Sequence, residues 1–145
     1  VYIGTPLLFD ALAWPFDVPT DAIIHPVALA GWVGLLVTGI NLLPTGQLDG
    51  GHVATAWLGD HARALSALAL GILVLLGLGI PPFAQEQWIP GYGGWLVFAI
   101  IILFLGTQHP PTLNSISELD TRRTALAIVT FVLAVVCFTP LPISV

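Results

Sequence analysis

From Ile23 to Leu43 the chain carries no Asp, Glu, Lys or Arg, and the run then meets Pro44. A helix crossing about 30 Å of hydrocarbon needs about 20 apolar residues, so residues 23–43 are long enough to span a bilayer. Pro44 lacks a backbone donor and clashes with the preceding turn, which predicts that the helix ends or kinks near Leu43. The residues that follow, TGQLDGGH, place a carboxylate, two glycines and an imidazole directly after the break. Broken backbone at membrane depth survives only where protein or a water-filled cavity satisfies the freed groups. Asp49 is therefore expected to face such a cavity.

Three more apolar segments follow, at residues 64–80, 94–106 and 124–138. The last two reach spanning length only if residues 92–95 and 139–143 lie in the membrane interface. Charged residues make up 8% of the 145-residue chain and hydrophobic ones 57%. A soluble domain carries about 25% charged residues, so the expected fold class is all-α, a polytopic transmembrane bundle of about four segments. Its helix is broken between Asn41 and His52. With no Ser/Gly linker, residues 1–145 read as one domain. Residues 1–22 differ in character: Pro6, Pro15 and Pro19 interrupt them and three Asp punctuate them, as in an extramembrane or re-entrant lead-in. The chain opens on Val with no basic, cleavable leader in view, which suggests that sequence precedes it.

Charge limits the partners. Three Arg and no Lys stand against eight acids, so nothing could neutralise a phosphate backbone and a nucleic-acid partner is excluded. Cys137, the one cysteine, allows neither an intrachain disulfide nor a Cys-type zinc site. Arg63 lies between the first and second segments, and Arg122 and Arg123 between the third and fourth. The opposite loops, DVPTD and the one holding Glu86, have no basic residue. The positive-inside rule then turns the Asp49 end of the first segment toward the cytoplasm. Trp88, Tyr92 and Trp95 suit an interfacial aromatic belt. Ala30 with Gly34, and Thr38 with Leu42, are spaced as a face for close helix packing.

At the break itself, Gly46 suits a turn, and Gly50 and Gly51 permit close backbone approach. A carboxylate near the bilayer centre costs ~2.5–3.5 kcal/mol on insertion scales, so such acids usually face a functional interior. Equally, Asp49 could sit at the interface and cap a short helix, GHVATAWLG. His52, three residues on, shares a helical face with Asp49. Asp-x-x-His can contribute two metal ligands, although a His so placed also serves simply to hydrogen-bond a neighbour. Asp60 reads as the N-cap of the second segment, with His61 solvated beside it. His25 and His109 each precede proline and read as loop or interface residues. No two of the four His are four apart, so the chain contains no helical zinc pair.

NLLPTGQLDGGH resembles the second signature of the site-2 protease family of intramembrane zinc metalloproteases: Asn, Pro, then Leu-Asp-Gly. The longer run HPVALAGWVGLLVTGINLLPTGQLDGGHVATAWLG is similar to the branch found in archaea, cyanobacteria and plastids. So are GTQHPP and CFTPLPI further on, which extends the resemblance over nearly the whole chain.

This resemblance implies a metalloendopeptidase cutting membrane-embedded protein substrates in regulated intramembrane proteolysis, with one zinc ion. Asp49 would be the third protein ligand. Asn41 would position the substrate or stabilise the oxyanion, and Pro44, Gly46, Gly50 and Gly51 would shape the site. The family's other two ligands and its general base come from a His-Glu-x-x-His helix, which is missing from these residues. The chain is thus expected to be the C-terminal membrane part of such a protease and inactive alone. The alternative is a proteolytically inactive, membrane-embedded binding or chaperone-like module.

Overall fold

The computed structural model describes residues 2–18, 23–80, 89–105 and 119–144. Six α-helices account for most of them: α1 (Leu7–Ala13), α2 (Pro26–Asn41), α3 (Asp49–Leu58), α4 (Ala62–Leu78), α5 (Gly94–Leu105) and α6 (Thr121–Cys137). Two short antiparallel pairings tie the bundle. Strand β1 (Tyr2–Ile3) pairs with β4 (Ile143–Ser144), and β2 (Gly79–Ile80) pairs with β3 (Ile89–Pro90).

Local chemistry sets the helix starts. Pro26 begins α2, where its missing N–H is no loss. The His25 ring caps that end, its Nδ1 accepting the Val27 N–H at 3.2 Å. Asp120 caps α6 by accepting the Arg123 N–H at 2.9 Å. In the lead-in, Pro6 stands at the N-cap of α1 and Pro15 lies in a 3-10 turn, Trp14–Phe16. Those prolines shape a short helix, where the sequence suggested only interruption. Pro19 lies outside the described residues, as do Glu86, Trp88, His109 and the GTQHPP stretch.

Packing runs α2 on α6, α4 on α5, and α3 on both α4 and α6. Trp57 of α3 stacks on Phe131 of α6 with ring centroids 6.0 Å apart. The core gathers Leu73 of α4 with Trp95, Ala99 and Ile102 of α5. Trp95 is 3% exposed, stacks on Phe138 at 4.9 Å and donates its indole N–H to the Pro140 carbonyl at 2.6 Å. Its expected place in an interfacial belt is thereby corrected. The ring's apolar area fills the core, and its one polar atom is satisfied by the chain that follows α6, at Pro140. Trp32 does the same at the other side, donating to the Gly4 carbonyl at 2.7 Å.

The expected small-residue face of α2 is also corrected. Ala30 and Thr38 are exposed, and a side chain on Gly31 or Gly34 would meet nothing within 4 Å. The close approach comes instead at Gly39, where an added Cβ would lie 2.9 Å from the Cys137 carbonyl oxygen. There α2 meets the end of α6.

Outer helix faces are strongly apolar. Phe104 is 88% exposed and Val135 66%, more hydrophobic surface than water alone would leave uncovered. Among the described residues, the helical run Asp49–Leu78 is long and apolar enough to cross a membrane by length and composition. The helices Pro26–Asn41 and Gly94–Leu105 are apolar but shorter. That 30-residue run is not one straight rod, because Gly59 at φ 55° ends α3 and a 3-10 turn restarts the chain into α4. Asp60 sits in that turn, and His61 takes the N-cap of α4 with no side-chain cap bond. This corrects the expectation for Asp60.

Candidate functional site

The helix stops at Asn41 and resumes at Asp49, and residues 42–48 between them form a chain of tight turns. The Leu43 N–H donates to the Ile40 carbonyl at 3.2 Å, Thr45 to Leu43 at 2.7 Å, and Leu48 to Thr45 at 3.1 Å. Pro44 has no N–H to offer, and its carbonyl is satisfied from outside the loop. Ser66 of α4 donates its hydroxyl to Pro44 O at 2.7 Å. Gly46 takes φ 44°, the left-handed region that side chains resist.

Gly50 and Gly51 hold the new helix against this loop. A Cβ on Gly50 would collide with the carbonyls of Leu42 and Leu43, and one on Gly51 with that of Gly46. Both glycines are buried, as are Thr45 and Gly46. The start of α3 is thus clamped by backbone-to-backbone contact along one side.

Asp49 lies on the other side. It is the first residue of α3 and is exposed; the N-cap position belongs to Leu48, with no side-chain cap bond. The capping role open to Asp49 from sequence is therefore not what the fold gives it. Among the described residues its carboxylate has no hydrogen bond or ion pair. It still gains from the helix N-terminus, where the aligned peptide dipoles favour negative charge. His52, one turn on, and Asn41, at the last turn of α2, are exposed as well.

Chemically, this is one carboxylate with an imidazole on the same helical face. A catalytic zinc takes three protein ligands and a water. Among the described residues, no group of three or more His, Cys, Asp or Glu could hold a metal. The donor set is incomplete, and these residues do not make a zinc site by themselves. Ser66 and Thr45 are the residues that reading the sequence missed. Ser66 did leave a signal, as a lone hydroxyl inside the apolar run ARALSALAL that must find an acceptor.

Comparison with known proteins adds a family. Residues 6–80 match the model of peptidase family M50. The chain is 36% identical over 118 residues to a probable zinc metalloprotease EGY1, chloroplastic, of Oryza sativa subsp. japonica, covering 81% of this chain and 19% of that protein. Identity to the protein of the same name from Arabidopsis thaliana is 35% over 117 residues, covering 81% and 20%. A probable zinc metalloprotease EGY3, chloroplastic, of Oryza sativa subsp. indica is 34% identical over 118 residues, covering 79% and 18%. The chain therefore spans about a fifth of the length of these relatives. No solved structure matches it.

Proposed function

The chain belongs to peptidase family M50, the family of the site-2 proteases, and from that membership we propose that it is the Leu-Asp-Gly part of an intramembrane zinc metalloendopeptidase. The carrying observation is the state of Asp49: an exposed carboxylate, unpaired among the described residues, on the first residue of a helix whose next two residues are locked against backbone. A metal ligand has to be accessible and carried on a well-packed backbone, and the two sides of the α3 start meet those needs separately. Asp49 is the third zinc ligand in this reading, and a His-Glu-x-x-His helix outside the chain supplies the other two and the general base. A zinc ion bound there supplies the activation of water and the polarisation of a carbonyl that peptide hydrolysis needs.

This chain's own residues present the ligand and shape its surroundings. Pro44, Gly46, Gly50 and Gly51 fix the loop, Asn41 lies across the break to contact substrate backbone, and His52 is a secondary candidate ligand. Alone, the chain binds zinc weakly and hydrolyses nothing. The substrate is a membrane-embedded protein.

In the bilayer, α2, α4, α5 and α6 are the four segments, the interval 42–48 is a break at the membrane, and residues 1–22 are an extramembrane or re-entrant lead-in. The apolar outer helix faces support this reading. The arginine distribution puts the Asp49 end on the cytoplasmic side. Single cysteines replacing Arg63, Arg122 and Asp17 test the topology by labelling with an impermeant thiol reagent. The first two should label from the cytoplasmic side and the third from the opposite one; labelling of all three from one side defeats the four-span reading.

Asp49→Asn in the full-length protein tests the ligand. Bound zinc and cleavage of a membrane substrate should fall further than the about 10–100-fold typical of an outer-shell partner, with little change in thermal stability. Unchanged zinc content and activity would remove Asp49 from the site. A full-length wild type that binds no zinc would favour the inactive binding module instead.

A further inference from the structure

Helix α1 packs against α6, and between α1 and the N-terminal part of α2 lies an open-sided groove of about 580 Å³. Phe9, Leu12 and Phe16 line one wall, and Ala28, Gly31 and Leu35 the other. That second wall is low: a Cβ added to Gly31 would meet nothing within 4 Å. The volume falls within the about 300–1,000 Å³ of small-molecule sites. Among the described residues that line it, His25 alone is polar, and it stands at one end, at the N-cap of α2. Leu35 marks the other end, about 15 Å further along the helix at 1.5 Å per residue.

We propose that the groove seats one acyl chain of a neutral or zwitterionic lipid, whose ester or headgroup oxygen accepts a hydrogen bond from His25. A long apolar slot with a single donor at its end is the complement of such a molecule. The donor exists because Nδ1 accepts the Val27 N–H, so the neutral ring carries its proton on Nε2. Charge selects the headgroup. Asp10 lies on α1 and Asp17 directly after Phe16, and no Lys or Arg precedes Arg63, so an anionic headgroup would meet repulsion without a cation to offset it. Depth fits as well. With α2 crossing the bilayer as proposed above, His25 lies at the interface away from Asp49, and the apolar end of the groove runs toward the bilayer centre. That orientation rests on the four-span reading, which the cysteine labelling tests separately; lipid retention is read without activity or zinc.

Filling the groove tests its occupancy. Gly31→Leu has room for its side chain and should fold with a melting temperature at or above that of the wild type. Full-length wild type in detergent, given phosphatidylcholine, should retain one lipid more than Gly31→Leu by native mass spectrometry. Phosphatidylglycerol should be retained several-fold less well. Equal retention by the two proteins, or preference for phosphatidylglycerol, overturns the proposal. A groove already filled by another segment of the full-length chain would give that equal retention. Should Gly31→Leu fail to fold, the wild type decides. A phosphatidylcholine with a photoactivatable diazirine in its acyl chain should crosslink chiefly to residues 9–16 or 28–35. Crosslinks spread evenly over the outer helix faces, or missing from those two segments, overturn it.

Discussion

Two sets of glycines flank the end of the same apolar segment and behave in opposite ways. Near the middle of α2, Gly31 and Gly34 face open space on a helix side that nothing among the described residues covers. At the junction with α3, Gly50 and Gly51 press on the carbonyls of residues 42–46 so closely that no side chain fits. Sequence reading marked Gly34, by its spacing from Ala30, as part of a packing face, and Gly50 and Gly51 as points of close backbone approach. Only the second set makes contact, because only there does the chain reverse onto itself and need backbone at van der Waals distance. The closely packed backbone in this comparison is thus the part that presents Asp49.

Gly50→Ala is the strongest way to break that comparison. Its Cβ would meet backbone, which cannot rotate away, so destabilisation should reach about 3 kcal/mol or more, the upper end of overpacking effects. Thermal unfolding in detergent measures it, and a neutral result would mean the junction is loose. Ser66→Ala comes next. It leaves the Pro44 carbonyl without its donor, for a loss of about 1–2 kcal/mol, read in the same assay and relieved by Ser66→Thr if the larger side chain is accommodated. The smallest effect belongs to the open side. Gly34→Ala has room and a helical backbone, so it should stabilise by about 0.5–1 kcal/mol; a large loss would reveal that this face is covered in the full-length protein.

Much of the helical framework was legible in the residues. The four apolar segments at 23–43, 64–80, 94–106 and 124–138 correspond to α2, α4, α5 and α6 within a few residues at each end. Pro44 marked the interruption between α2 and α3 because a missing donor and a fixed ring act locally, whatever the surroundings. The Asn, Pro and Leu-Asp-Gly signature carried the family, which the match over residues 6–80 establishes independently. Less legible was the role of aromatic and small residues. Trp95 looked interfacial and is core, and Ala30 with Gly34 looked packed and is open.

Sequence by itself determined the four long helices and the break at Pro44, though not α1, since hydrophobic run length and proline act within a turn or two. Tertiary structure decided which faces meet. It set Ser66 of α4 under Pro44, drew the Pro140 carbonyl to the Trp95 indole, and left Asp49 exposed at the start of α3, with its carboxylate unpaired among the described residues. Those outcomes depend on contacts between residues tens of positions apart, and only the closed backbone brings such residues together.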